Sequence, residues 1–236
     1  MKLIFITWNV AALPSLVNFS GTKTDKAKEI ADVLLPYLET TNCLVVIHLQ
    51  ELFDAKLTKQ LKYQFRNFKT YYPSERANFF FGITSGLMTI ANHPFDYTKF
   101  VKYNNSHGED SFANKGFTMT KIRGFMFYNT HMQNENVMIG SKEIAKNALH
   151  QQIKQFGESF KNENCTTLAG GDFNIAKSEM NKLIDITYYY VPDCPTIFQN
   201  NPDFFCSNKS IKNHKITCDD FPELSDHKIV ILEGEI

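Results

Sequence analysis

Short apolar runs that each stop at a polar, chemically capable residue set the strongest limit on how this chain can fold. Lys2 to Val10 is the first, with Asn9 near its end; Leu44 to Gln50 (LVVIHLQ) runs into Glu51; Phe125 to His131 ends in Asn129-Thr130-His131. Thr166 to Ala169 leads into Gly170-Gly171-Asp172-Phe173-Asn174, and Ser225-Asp226-His227 leads into a last run, Ile229 to Leu232. Runs this short and this rich in β-branched and aromatic residues read as strands. Between them lie helical patterns. Lys26 to Glu39 places Ala27, Ile30, Ala31, Val33, Leu34 and Leu38 at helical spacing; Asp54 to Phe65 has Asp54 as a candidate N-cap; Ser141 to Phe160 carries Ile144, Ala145, Ala148, Leu149, Ile153 and Phe156 on one stripe. The alternation predicts an α/β protein with helices covering sheets.

Further strands are expected at Leu87 to Ala91, Tyr97 to Tyr103, Phe117 to Ile122 and Phe204 to Ser207, with residues 69 to about 132 read as a β-meander and a helix near Ser178 to Tyr188. No repeat, low-complexity tract or Pro/Gly/Ser linker interrupts the 236 residues, so residues 1–236 are expected to form one catalytic-sized domain.

Charge narrows the function. Lys+Arg and Asp+Glu are equal at 25 each, so binding a polyanion through many surface cations is disfavoured and no extended nucleic-acid surface is expected. No run approaches the roughly 20 apolar residues that cross a bilayer. The first run, broken by Thr7 and Asn9, reads as a buried strand, not a signal peptide. The expected location is cytoplasmic, with secretion as the alternative. Cys43, Cys165, Cys194, Cys206 and Cys218 are odd in number, widely spaced and without a C-x-x-C pair, and read as reduced thiols.

Taken singly, the polar strand ends have ordinary structural readings: Asn9 as a turn cap, Glu51 as a solvated charge, Gly170-Gly171-Asp172 as a tight turn, His131 and His227 as structural histidines. Together they form a coherent set, because α/β proteins place their sites at strand ends. Oxygen donors from Glu51 and Asn9 suit a hard divalent ion such as Mg²⁺, with Mn²⁺ as a substitute, and no His/Cys cluster suggests zinc. A metal that engages phosphate oxygens and a histidine that takes a proton from water are the equipment for phosphoester hydrolysis.

The ordered set TWNV (7–10), LQE (49–51), NKG (114–116), THMQ (130–133), GGDFN (170–174) and SDH (225–227) resembles the endonuclease/exonuclease/phosphatase superfamily over nearly the whole chain. That resemblance implies a four-layered α/β sandwich. Within the superfamily, Gln50-Glu51-Leu52-Phe53-Asp54, the glycine-led Gly86 to Ile90 and the segment Phe112 to Ile122 are most similar to neutral, Mg²⁺-dependent sphingomyelinases; inositol-polyphosphate phosphatases share Asn-Lys-Gly and a Ser-Asp-His-Lys ending like residues 225–228.

The roles implied by the resemblance are these. Glu51 is the main Mg²⁺ ligand with Asn9 beside it, and Asp226 helps bind metal or hold His227. His227 is the general base, oriented by Asp203. Asp172 positions the nucleophile, Asn174 donates to a phosphate oxygen, and His131 contacts the phosphate or protonates the leaving oxygen. Asn114 and Lys115 add donors to the phosphate. The implied reaction is hydrolysis of sphingomyelin to ceramide and phosphocholine by a monomer that makes peripheral membrane contact. A nuclease, an inositol-polyphosphate phosphatase and an inactive binding module are the alternatives. The chain departs from bacterial sphingomyelinases where their aromatic-tipped hairpin would lie, since Cys206 to Leu224 is short and polar. Aromatic clusters at Tyr71-Tyr72, Phe79-Phe80-Phe81 and Tyr188-Tyr189-Tyr190 are candidates for lipid contact or a choline cage, against the plainer reading as core residues.

Overall fold

Strand residues alternate between two faces, and here one face becomes polar along its length. A computed structural model of the chain describes residues 1–13, 26–77 and 83–236. In chain order the elements are β1 (Lys2–Ala12), α1 (Lys26–Leu38), β2 (Leu44–Leu52), α2 (Ala55–Gln64), β3 (Lys69–Tyr71), β4 (Met88–Ala91), β5 (Tyr97–Lys102), a short 3-10 helix (Gly108–Phe112), β6 (Gly116–Ile122) and β7 (Phe125–His131). The second half adds α3 (Lys142–Lys161), β8 (Thr167–Asp172), α4 (Lys177–Leu183), β9 (Tyr188–Tyr190), β10 (Asp203–Ser207), β11 (Lys212–Asp219) and β12 (Ile229–Glu235).

Two six-stranded sheets result, ordered β11-β12-β1-β2-β4-β3 and β5-β6-β7-β8-β10-β9. Each has one central parallel pair, β1 with β2 and β7 with β8, and each pair is joined through a helical crossover, as parallel neighbours require. Leu3, Phe5, Leu44, Val46, Phe127, Leu168 and Phe205 fill the space between the sheets. Ile6, Trp8, Val10, Val45, Ile47 and Leu49 face the opposite way and pack with α1 and α2, while Leu149, Ile153, Phe156 and Phe160 of α3 cover the second sheet. The protein is therefore a four-layered α/β sandwich, as the motifs implied.

The inter-sheet face loses its apolar character toward the C-terminal ends of the parallel strands. On β1, Leu3 and Phe5 give way to Thr7 and Asn9; on β2, Leu44 and Val46 give way to His48 and Gln50; on β7, Phe127 gives way to Asn129 and His131, all buried. These groups bond one another: Gln50 Nε2 donates to Thr7 Oγ1 at 3.0 Å and Asn129 Oδ1 at 2.8 Å, and Asn129 Nδ2 donates to the carbonyls of Leu49 and Met88. These bonds offset much of the lost hydration, although Gln50 Oε1 and His48 Nε2 remain without a partner among the described residues.

Several expectations need correction. Only β5, β6 and β7 form a meander; β3 and β4 join the first sheet, because β4 pairs with β2. Gly170 and Gly171 lie inside β8, not in a turn. A Cβ on Gly170 would meet the Phe205 ring at 2.6 Å, and one on Gly171 would run into the Thr130 carbonyl, so close approach of neighbours selects glycine there. The fourth helix stops at Leu183, and Tyr188 starts β9. Ile144 is 54% exposed although Ser141 does cap α3, accepting from the Ile144 N–H. The polar stretch after Cys206 contains β11, an exposed edge strand whose polar residues face solvent and so gave no buried-strand pattern.

Five widely spaced cysteines in sequence are not all apart in space: the Cys194 and Cys218 side chains meet, with their Cα atoms 7.0 Å apart, while Cys43, Cys165 and Cys206 stand alone. Sequence spacing carried no sign of it, because the loop before β10 reaches β11 only through the fold. Tyr72 and Tyr190 spend their hydroxyls within the structure, on the Leu52 carbonyl and the Ile211 N–H. Phe79, Phe80 and Phe81 lie outside the described residues. Among the described residues, no helix is long and apolar enough to cross a membrane.

Candidate active site

Register alone places half of the site. His131 lies opposite Asp172 in the β7–β8 ladder, and Asp203 lies opposite Asp172 in the β10–β8 ladder, so three ionisable side chains form a row across adjacent strands. From the facing sheet comes Asn9 at the end of β1. Beside it the β1–β2 register shifts between Asn9 and Ala12, and Ala11 (φ 45) and Glu51 (φ 57) take the left-handed backbone conformation that non-glycine residues rarely hold. Irregularities of this kind re-aim side chains near functional sites. Here both Asn9 and the next-door Glu51 reach the same point.

The geometry is tight. Asn9 Nδ2 donates to Glu51 Oε1 at 3.0 Å and to Asp172 Oδ2 at 3.1 Å, while its Oδ1 accepts from the Ala11 N–H. His131 Nε2 stands 3.7 Å from both of those carboxylate oxygens. His227 Nε2 is 3.8 Å from Asp172 Oδ2, and its Nδ1 is 2.9 Å from Asp203 Oδ2. Asn174, also left-handed at φ 52, donates its backbone N–H to Asp172 Oδ1 and its amide to the Met132 carbonyl.

The Ser225-Asp226-His227 segment is fixed to β1 by two bonds and braced by one of its own. Ser225 Oγ donates to the Asn9 carbonyl at 2.6 Å and accepts from the His227 N–H, and Trp8 Nε1 donates to the His227 carbonyl. Asp226 is exposed and lines the mouth of a cleft of about 560 Å³, whose floor is formed by Glu51, His131, Asp172, Asn174 and His227.

Two expected phosphate contacts are engaged elsewhere. Buried Lys115 ion-pairs with Asp110 at 3.0 Å and donates to the Met132 carbonyl; Asn114 donates to the Glu75 carbonyl. The Lys115 charge nevertheless reaches both His131 and Glu51. Lys26, which no motif marked, donates to the Val10 carbonyl at 2.9 Å and lies within electrostatic reach of Asp226 and Glu51, at the first turn of α1.

Burial and crowding set the charges. Burial, then the Asp203 charge, pushes Asp172 up to about 7, and burial raises Glu51. Burial, reinforced by the positive charges of Lys115 and His227, holds His131 well below the usual imidazole range and so neutral. Burial works against a charged His227, but the Asp203 hydrogen bond and the charges of Asp203, Asp172 and Asp226 raise it to about 10. Donor atoms of Asp172, Asp203 and His227 lie within 4.8 Å of one another. Since Asp203 and His227 satisfy each other, the carboxylates available to a cation are Asp172 and Glu51, gathered around the Asn9 amide. This all-oxygen set fits a hard divalent ion.

The family model described as Endonuclease/Exonuclease/phosphatase family matches residues 6–227. The chain belongs to this family. Its members are metal-dependent hydrolases acting on phosphodiester bonds. Among solved structures, sphingomyelinase C from Streptomyces griseocarneus is similar over 100% of both chains, at TM-score 0.81 and 15% identity. A variant of the beta toxin from Staphylococcus aureus with bound magnesium ions is similar at TM-score 0.79 and 17% identity, again over 100% of both chains. TDP2 of D. rerio complexed with a single-strand DNA product follows at TM-score 0.73 and 12% identity, over 100% of this chain and 99% of that one. At such identities these likenesses concern the fold. Comparison with curated protein sequences finds no match.

Proposed function

We propose that this protein is a Mg²⁺-dependent phosphodiesterase that hydrolyses sphingomyelin to ceramide and phosphocholine. The observation that carries a hydrolytic reading is the convergence of Glu51, Asp172, His131 and the Asp203–His227 pair around the Asn9 amide. Glu51 and Asp172, with Asn9 beside them and Asp226 at the rim, are the residues that would hold the metal. A bound Mg²⁺ would supply Lewis-acid stabilisation of the charge that builds on the phosphate.

The protein's own residues supply the rest. Asp203 fixes the imidazole of His227 with Nε2 toward the cleft, the atom placed to take a proton from the attacking water. Its high affinity for protons comes from the carboxylates of Asp203, Asp172 and Asp226, and a cation held on Asp172 would lower it. His131, on the opposite side of Asp172, faces the phosphate and the leaving ceramide oxygen. Asn174 gives one amide N–H to the Met132 carbonyl and keeps the second for a phosphate oxygen. Positioning and charge stabilisation of this kind suit in-line displacement at phosphorus, with no Ser or Cys nucleophile.

The outer wall of the cleft supports a zwitterionic headgroup over a polyanion. Glu135, Glu179, Asn136 and Asn200 line it with Phe198, giving acidic groups and an aromatic face to a quaternary ammonium, in a chain whose net charge is zero. The test is phosphocholine release from sphingomyelin–detergent micelles with Mg²⁺ or with EDTA, run beside plasmid nicking and inositol-phosphate release. Wild type is expected to act on sphingomyelin with Mg²⁺ only, and Glu51→Gln to lose at least about 100-fold. Wild type no more active on sphingomyelin than Glu51→Gln would overturn the substrate; activity confined to plasmid or inositol phosphates would reassign it.

A further inference from the structure

Thr196 lies in the loop that leads from β9 to β10 and belongs to none of the motifs, yet its side chain ends at the centre of the site. Its hydroxyl donates to Asp203 Oδ2 at 2.7 Å, the same oxygen that lies 2.9 Å from His227 Nδ1. Thr196 and Asp203 are both fully buried, and Asp203 Oδ1 has no partner among the described groups. The Thr196 backbone is fixed on both sides: its N–H donates to the Asn200 carbonyl and to Asn201 Oδ1, each at 2.9 Å, and its carbonyl accepts from the Lys228 N–H at 2.8 Å, one residue beyond His227. Two residues upstream, the Cys194 side chain meets that of Cys218 on β11.

Rotation of a carboxylate about its last torsion is soft and nearly two-fold. With the imidazole as its only partner, a buried carboxylate could present either oxygen over a range of angles. A second donor on the same oxygen removes that freedom.

We propose that Thr196 is a positioning residue for the proposed hydrolysis: its hydroxyl locks the Asp203 carboxylate with Oδ2 toward His227, and its carbonyl holds the bend that carries His227, just before β12, at the matching distance. The proposal rests on the reading of His227 as the proton acceptor. Thr196 acts through Asp203 and touches neither substrate nor metal. The bond between Asp203 and His227, however, exists whether or not sphingomyelin is the substrate, which gives the idea a test of its own.

Three proteins are compared at one pH: wild type, Thr196→Val, which keeps the shape and the backbone bonds, and Thr196→Ser, which keeps the hydroxyl. Kinetics on sphingomyelin read kcat and KM separately, proton NMR reads the downfield resonance of the His227 Nδ1–H hydrogen bond, assigned by its loss in Asp203→Ala, and circular dichroism checks folding. General-base catalysis is worth about 10²–10⁴-fold, and Thr196→Val is expected to lose about tenfold of it in kcat with KM within about twofold. Its downfield resonance should broaden or shift, while Thr196→Ser restores both. A folded Thr196→Val with wild-type kcat and an unchanged resonance would overturn the proposal, as would a Thr196→Ser as impaired as the valine. If wild type hydrolyses no sphingomyelin, the substrate reading fails, and the resonance alone decides Thr196: altered in Val and kept in Ser supports it, and unchanged in Val refutes it.

Discussion

His48 offers a sharp test of how the polar layer between the sheets is built. Its ring is fully buried, with Nδ1 3.0 Å from the Gly170 carbonyl and Nε2 without a partner. A cationic ring there would have one acceptor and little solvent, so burial drops its pKa from 6.5 to about 3. The sign follows from proton uptake. Below pH 6.5 the unfolded chain protonates this histidine and the folded chain does not until about pH 3, so stability falls as pH falls through that window.

From those two values, the loss between pH 8 and pH 5 is about 2 kcal/mol for this group alone, and it changes little for any folded value below about 4. The perturbation is His48→Gln, which keeps a polar group near Gly170 and removes the titration. Urea denaturation followed by the fluorescence of Trp8, the only tryptophan and a buried one, is run on both proteins at pH 8, 7, 6 and 5. Asp172, His227 and the remaining titratable groups are present in both, so their contributions cancel in the difference. Wild type is expected to lose about 2 kcal/mol more than His48→Gln across the range. Parallel pH profiles, within about 0.5 kcal/mol at pH 5, would show that the folded protein accepts the proton and that the description of a dry polar layer is wrong.

Two further outcomes follow from the same packing. Gly171→Ala forces a methyl against the Thr130 carbonyl and so spreads β7 from β8; a loss of about 1–3 kcal/mol in urea denaturation is expected, with a larger proportional loss of activity because His131 moves away from Asp172. Trp8→Phe leaves the buried His227 carbonyl without its donor, which costs about 1–3 kcal/mol, measured by circular dichroism; a loss below about 0.5 kcal/mol would mean that the indole does not anchor the His227 segment.

Much of the residue cluster at the proposed active site is legible in the sequence. Asn9, Glu51, His131, Asp172, Asp203 and His227 were singled out, and all six converge. Asn9, Glu51, His131 and Asp172 are legible because each stands toward the end of an apolar run, and in an α/β fold those ends gather at one edge; His227 precedes such a run, and Asp203, which opens β10, is marked only by the family resemblance. Lys115 and Asn114 were also singled out, but a sequence motif does not say whether a cation faces outward or is spent on Asp110 and a carbonyl. Thr196, Lys26 and the indole N–H of Trp8 went unmarked. They act through contacts between residues 7 to 219 positions apart, which no local pattern records.

By itself the sequence determined most of the buried strands and the three longer helices, the α/β class and the chemical character of the proposed site. Those depend on periodicity and residue type, which are local. The tertiary structure decided that Asp172 has His131 and Asp203 as ladder neighbours, that left-handed Glu51 turns toward Asn9, that Gly170 and Gly171 are strand residues, and that Cys194 meets Cys218. It also decided the charges. A pKa near 7 for Asp172 and near 10 for His227 comes from burial and from which carboxylates are brought within a few ångströms, and distance across the fold is the one quantity that a linear sequence does not contain.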